Sequence, residues 1–111
     1  MASRANVYID KGTDFRITIG LSDDDGGVLP VDSYDFFGSI RKMYSITKLA
    51  DFIIEKDSVN SAITLVLTDT VTLPLKPGKY QYDVLMRKTS GEISKVVEGL
   101  AIIVPTISEV I

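Results

Sequence analysis

The feature that most constrains this chain is a hydropathy period of two that recurs along its length. In residues 14–21, Phe15, Ile17, Ile19 and Leu21 fall on one side, while Arg16, Thr18 and Gly20 fall on the other. Only an extended strand with one buried face sorts side chains this way. Ile63, Leu65 and Leu67 repeat the pattern, as do Tyr80, Tyr82, Val84 and Met86. Further strands are expected at residues 6–9, 34–42, 50–55 and 93–104, with Gly99 marking a bulge or bend in the last. Turn residues separate them: the cluster at 22–27 with Asp23, Asp24 and Asp25, the loop at 57–60, and the turn at 89–92 with Gly91. Residues 43–49 and 69–73 alone leave room for a helical turn. About seven strands and no sustained helical period define an all-β antiparallel sandwich or barrel.

One local step favours the sandwich. Leu75, Pro77, Gly78 and Tyr80 lead into a strand in the order of a tyrosine corner, as in immunoglobulin-like domains. In that motif a loop crossing the end of the sandwich is pinned by a tyrosine hydroxyl bonded to upstream backbone. Pro77 stiffens the turn and Gly78 permits it. The plainer reading of Tyr80 is a core tyrosine on an alternating strand. The 111 residues suit one domain, divided as an N-terminal arm at 1–5, an immunoglobulin-like β-sandwich at 6–104 and an apolar C-terminal tail at 105–111.

Composition bears on chemistry more than on fold. With no histidine and no cysteine, the chain lacks the usual general base, the commonest metal ligand and any thiolate. The adjacent carboxylates Asp23, Asp24 and Asp25 do not have the alternate spacing with a later Glu that a calcium loop requires, and read as a solvated turn. Asp51, Glu55, Asp57 and Asp83 are scattered along the strand pattern, where a compact sandwich offers no cleft for a paired-carboxylate mechanism. No phosphate-cradling glycine loop occurs. The expectation is a protein without catalytic residues or cofactor. The net charge of −3 argues against nucleic acid, whose binders carry a basic excess. Neither a secretory leader nor a membrane-length apolar run is read in the sequence, so a soluble intracellular product is expected.

What stands out is excess apolarity. Mean hydropathy is +0.20, high for a small domain with much surface per volume. A Val- and Ile-rich core is one reading of it; the other, favoured here, is that part of the surface is buried against neighbours in an assembly. Phe36 and Phe37 are adjacent on one strand and must face opposite ways, so one is outward, covered by a loop or by a subunit. Phe52, Ile53 and Ile54 pose the same conflict one strand on. The tail stays apolar beyond Pro105, with Ile107, Val110 and Ile111, whereas disordered tails are polar. It reads as a docking segment, for its own domain or for a neighbour by strand addition. These eight residues form the candidate contact surface.

Taken in order, the motifs resemble a group of small virion domains of tailed bacteriophages, including the N-terminal domain of baseplate upper proteins. The resemblance runs through Val7 to Phe15, the acidic turn after Leu21, the strand from Phe36 to Arg41, the step from Leu75 to Val84, the Ser90-Gly91 hairpin, and the closing segment from Glu98 to Pro105. It implies a non-enzymatic virion structural protein of the tail, baseplate or fibre attachment region. Such a protein assembles in the host cytoplasm, bound to other virion proteins and to copies of itself in a symmetric oligomer. Two other roles fit the same features: a capsid decoration protein, and a carbohydrate-binding sandwich for host recognition.

Overall fold

A computed structural model of the chain describes residues 3–21 and 29–108. Over these residues it is an immunoglobulin-like β-sandwich of nine strands. They are β1 (Ser3–Arg4), β2 (Val7–Asp10), β3 (Phe15–Gly20), β4 (Asp35–Lys42), β5 (Lys48–Asp51), β6 (Ile53–Asp57), β7 (Ala62–Leu67), β8 (Gly78–Arg87) and β9 (Ile93–Val104). The larger sheet runs β1–β9–β8–β4–β5, with β2 also on β9; the smaller runs β3–β7–β6. The acidic cluster of Asp23, Asp24 and Asp25 lies outside the described residues.

The alternating sequences become strands with one face inward. Ile9, Ile40, Ile63, Leu65, Val84, Val97 and Ile103 are buried between the sheets, each worth about 1.5–3 kcal/mol of apolar transfer. A satellite cluster of Leu29, Val31 and Met86 extends this core at one end. Among the described residues, no buried side-chain nitrogen or oxygen lacks a hydrogen-bond partner. Nor is any helix there long and apolar enough to cross a membrane.

Four expectations need correction. First, the sheets are not purely antiparallel, because β1 and β2 pair parallel to β9. The N-terminal arm contains β1, and Ala5 donates its amide to the Glu98 carbonyl at 2.9 Å.

Second, the single strand expected at 50–55 is two strands in different sheets. β5 pairs with β4, β6 pairs with β7, and the chain changes sheets at Phe52. That residue's amide is held by the Gly38 carbonyl at 2.9 Å. Its ring is buried, packed edge-on against Tyr82 at 5.9 Å and tilted against Phe15 at 6.5 Å. An apolar residue on both sides of a strand is what a segment needs when it changes the sheet whose core it faces.

Third, the break in β9 is not at Gly99. The register shifts where Val84 pairs with Val97 and Leu85 with Lys95, which leaves Val96 as the extra residue. Gly99 sits in register opposite Tyr82 and serves a different need. The chain between β1 and β2 crosses it so closely that a Cβ would lie 2.0 Å from the Ala5 carbonyl oxygen.

Fourth, residues 43–47 form a turn and loop, not a helical turn, and β5 begins at Lys48. At 69–73 a short helix, α1 (Asp69–Thr72), does form. It is anchored through Thr72, whose buried hydroxyl donates to the Thr13 carbonyl at 2.8 Å.

The corner step is built as a pinned turn. Leu75 is buried in the core, Gly78 takes a φ of +146° that residues with a side chain rarely adopt, and the Tyr80 hydroxyl donates to the Lys76 carbonyl at 2.5 Å. A second tyrosine acts two residues on. Tyr82 is buried and donates its hydroxyl to the Ala5 carbonyl at 2.6 Å, and burial raises its pKa above the ordinary value. Tyr80 thus fastens the loop entering β8, while Tyr82 fastens the crossing between β1 and β2.

Candidate assembly interface

The outward faces of the two sheets are built from the same alternation but differ in what they present. Directly paired residues share a face. On the larger sheet this puts Phe37, Leu85 and Lys95 in one outward row, and Ser39, Asp83 and Glu98 in the next beyond it. Gln81 and Leu100 follow, and then Lys79, Ile102 and Tyr8.

The middle of this face is charged and hollow. A shallow depression of about 240 Å³ is lined by Arg4, Arg41, Gln81, Asp83, Lys95 and Glu98, among others. The charges alternate in sign: Arg4 meets Glu98 at 3.1 Å, and Lys95 meets Glu98 at 3.1 Å and Asp83 at 3.8 Å. On the neighbouring edge, Lys48 pairs with Asp51 at 3.2 Å. Exposed pairs of this kind contribute only about 0–1 kcal/mol each. The expectation of a sandwich without a cleft is therefore corrected to one with a shallow polar basin. Among the described residues, no group of three acidic side chains converges as a metal site needs.

Apolar side chains flank the basin at both ends. At one end Phe37 is 49% exposed, with the Arg87 guanidinium 5.1 Å above its ring and itself paired to Asp35 at 3.0 Å. Exposed Ile93 lies beside Arg87. At the other end Tyr8 is 64% exposed, next to half-buried Ile102 and Leu100. The loop from β4 to β5 adds Tyr44 and Ile46, 96% and 90% exposed.

That loop is held in shape by the sheet beneath it. Gln81 donates to the carbonyls of Lys42 at 2.9 Å and Ser45 at 3.4 Å. Arg41 donates to the Ile46 carbonyl, and the Ser45 amide to Lys42 at 3.2 Å. Tyr44 is fixed at φ +58°, a left-handed conformation that costs a residue with a Cβ about 1–2 kcal/mol.

The smaller sheet's outward face pairs its polar side chains with one another. Thr18 and Thr64 share a hydroxyl hydrogen bond at 2.9 Å, and Arg16 pairs with Glu55 at 2.5 Å. Ile53 is its large exposed apolar residue.

The eight residues singled out from sequence are scattered. Phe37, Ile53 and Ile107 are exposed, on the larger sheet, the smaller sheet and the tail respectively. Phe36 turns inward and packs against both hydrophobic clusters, so of the two phenylalanines it is the core member. Phe52 is buried at the crossover and is unavailable for contact, and Ile54 packs half-buried against the core. Ile107 is 99% exposed just beyond Thr106, which donates its hydroxyl to the Lys11 carbonyl at 2.6 Å. Val110 and Ile111 lie outside the described residues.

Sequence reasoning missed Tyr8, Ile46, Leu100 and Ile102. The available signal was the run from Leu100 to Val104, apolar on both faces of one strand, and Tyr8 set between inward Val7 and Ile9. No protein-family model matches the chain, and no curated protein matches it.

Proposed function

We propose that this protein is a structural component of a tailed-bacteriophage particle, making non-catalytic contacts in the tail, baseplate or fibre attachment region. One observation carries the contact role. The outward face of the larger sheet has exposed apolar groups at both ends, backed by a loop that holds Tyr44 in a costly conformation while leaving its ring in solvent. Strain at a single residue, maintained by four hydrogen bonds from Gln81, Arg41 and Ser45, is a feature expected where a side chain must be presented to a partner. The virion setting rests on the order of motifs along the chain, which resembles that of small virion domains. The immunoglobulin-like fold is compatible with it.

The test is quantitative mass spectrometry of purified particles, with the protein tagged for imaging. Tens of copies located at the tail or baseplate support the reading, as expected for a ring of symmetric subunits. Hundreds of copies on the head replace it with capsid decoration. Absence from the particle overturns both.

A further inference from the structure

We infer that the loop joining β4 to β5 docks the protein on an anionic lipid bilayer. Tyr44 and Ile46 enter the layer between headgroups and acyl chains, and the basic side chains around them meet the headgroups. This rests on the contact role given above to that loop and names what the loop contacts. Three observations select a bilayer.

The first is charge. The chain as a whole has 15 acidic against 12 basic residues, yet the corner where β4 ends and β5 and β8 begin reverses the balance. Arg41 and Lys42 close β4, Lys48 opens β5, and Lys76 and Lys79 flank the start of β8. Among them stands one acid, Asp51, paired to Lys48 at 3.2 Å. The other described acids of this end lie apart. Asp10 is on β2, two strands from β8, and Asp14 and Asp69 are bonded to each other beside the smaller sheet. The surface that complements such a corner is anionic.

The second is what stands at the tip. Tyr44 and Ile46 are 96% and 90% exposed. Exposed Lys42 and Lys48 bracket them, and Ser45 and Thr47 are the small polar residues in between. Tyrosine partitions to the boundary of a bilayer, a branched aliphatic chain goes slightly deeper, and lysine lays its stem beside them while its ammonium stays in water. An anionic surface without an apolar layer would leave both tips in solvent.

The third is the backbone. A loop can enter the boundary of a bilayer only if its polar groups find partners within the protein. Here the carbonyls of Lys42 and Ser45 accept from Gln81 at 2.9 and 3.4 Å, and that of Ile46 accepts from Arg41. The Ser45 amide donates to the Lys42 carbonyl at 3.2 Å, and the Thr47 amide to the Ser45 hydroxyl at 3.0 Å. These groups are taken, so what the loop offers outward is its apolar side chains. A protein partner reading the loop through backbone hydrogen bonds would find them occupied.

The experiment is co-sedimentation of the full chain with vesicles of mixed phosphatidylglycerol and phosphatidylcholine, against vesicles of phosphatidylcholine alone. The expected result is binding to the mixed vesicles at least about tenfold tighter than to the neutral ones, weakening as salt is raised. Tyr44→Asn removes the ring without changing charge, and asparagine accepts the left-handed backbone. It should weaken binding at least about fivefold with no loss of melting temperature. Lys42→Gln combined with Lys79→Gln should abolish the preference for anionic vesicles. Ile53→Asn, at an exposed apolar site on the other sheet, should leave binding unchanged. Failure to bind the mixed vesicles, equal binding to neutral ones, or full binding by Tyr44→Asn overturns the proposal. So does capture by soluble dextran sulfate with vesicles ignored, which would make the corner a site for an acidic polymer. The measurement needs no particle. Vesicle binding by a protein absent from virions would refute the virion role alone, and a virion protein that ignores vesicles would refute the bilayer contact alone.

Discussion

The two sheets of this sandwich follow one folding rule and end with different surfaces. On the smaller sheet the outward polar positions pair within the chain, Thr18 with Thr64 and Arg16 with Glu55, and Ile53 is left exposed beside them. On the larger sheet the outward apolar residues Tyr8 and Ile93 stay exposed and Phe37 is covered on one side only, by the Arg87 guanidinium, and the ion pairs between them sit in a basin open to solvent. Alternation decides which side chains point out. It does not decide whether that outward set is complete. Comparing the two faces separates what stabilises the fold from what is left over for contact.

The largest expected effect tests whether the faces belong to one cooperative unit. Phe52→Ala removes the ring where the chain changes sheets and should cost about 3–5 kcal/mol. Chemical denaturation should still show one transition for both sheets. Two separate transitions would mean that the faces are independent surfaces of independent layers.

A smaller change acts on the larger sheet only. Gly99→Val drives a side chain into the Ala5 carbonyl, 2.0 Å from where its Cβ would stand, and should cost about 1–3 kcal/mol. Hydrogen exchange should show lost protection at Ala5, whose amide bonds the Glu98 carbonyl, while β3 and β7 keep theirs. The change also displaces Arg4 from the basin. Equal loss of protection in both sheets would break the comparison.

The smallest effect is on the smaller sheet's outward face. Thr18→Val removes one partner of an exposed hydroxyl pair and should shift stability by less than about 0.5 kcal/mol, measured by thermal melting. A larger shift would mean that this face depends on its polar pairs as the core depends on packing.

Much of the fold was legible in the sequence, and for specific reasons. Where one face of a strand is wet, as in β3 with Arg16 and Thr18 or β8 with Gln81 and Asp83, the period of two identifies the inward residues directly. The pinned turn at Tyr80 was legible because its geometry needs particular residues in a particular order. The crossover at Phe52 was not. The run Phe52-Ile53-Ile54 is apolar on both sides, and a strand switching sheets has the same pattern as a strand with an outward contact. The open face was missed for the same reason. Leu100, Ile102 and Tyr8 lie in segments where inward and outward positions are alike in hydropathy, so only the register shows which side meets solvent. Tyr44 and Ile46 sit in a loop whose shape comes largely from Gln81, a residue distant in sequence that no local pattern links to Tyr44, and from Arg41.

The parallel attachment of β1 and β2 to β9 has a mechanical consequence. A pull along the chain from before β1 and beyond β9 drags the two sides of this edge past each other lengthwise. Ser3 against Val97 and Arg4 against Glu98, then Val7 through Asp10 against Ala101 through Val104, all take the load together. A hairpin pulled from its open end gives way one bond at a time; this edge must fail as a set. The Tyr82 hydroxyl on Ala5, midway between the two short strands, acts as a peg in that seam. The fold therefore resists tension between its two flanks better than its modest size would imply.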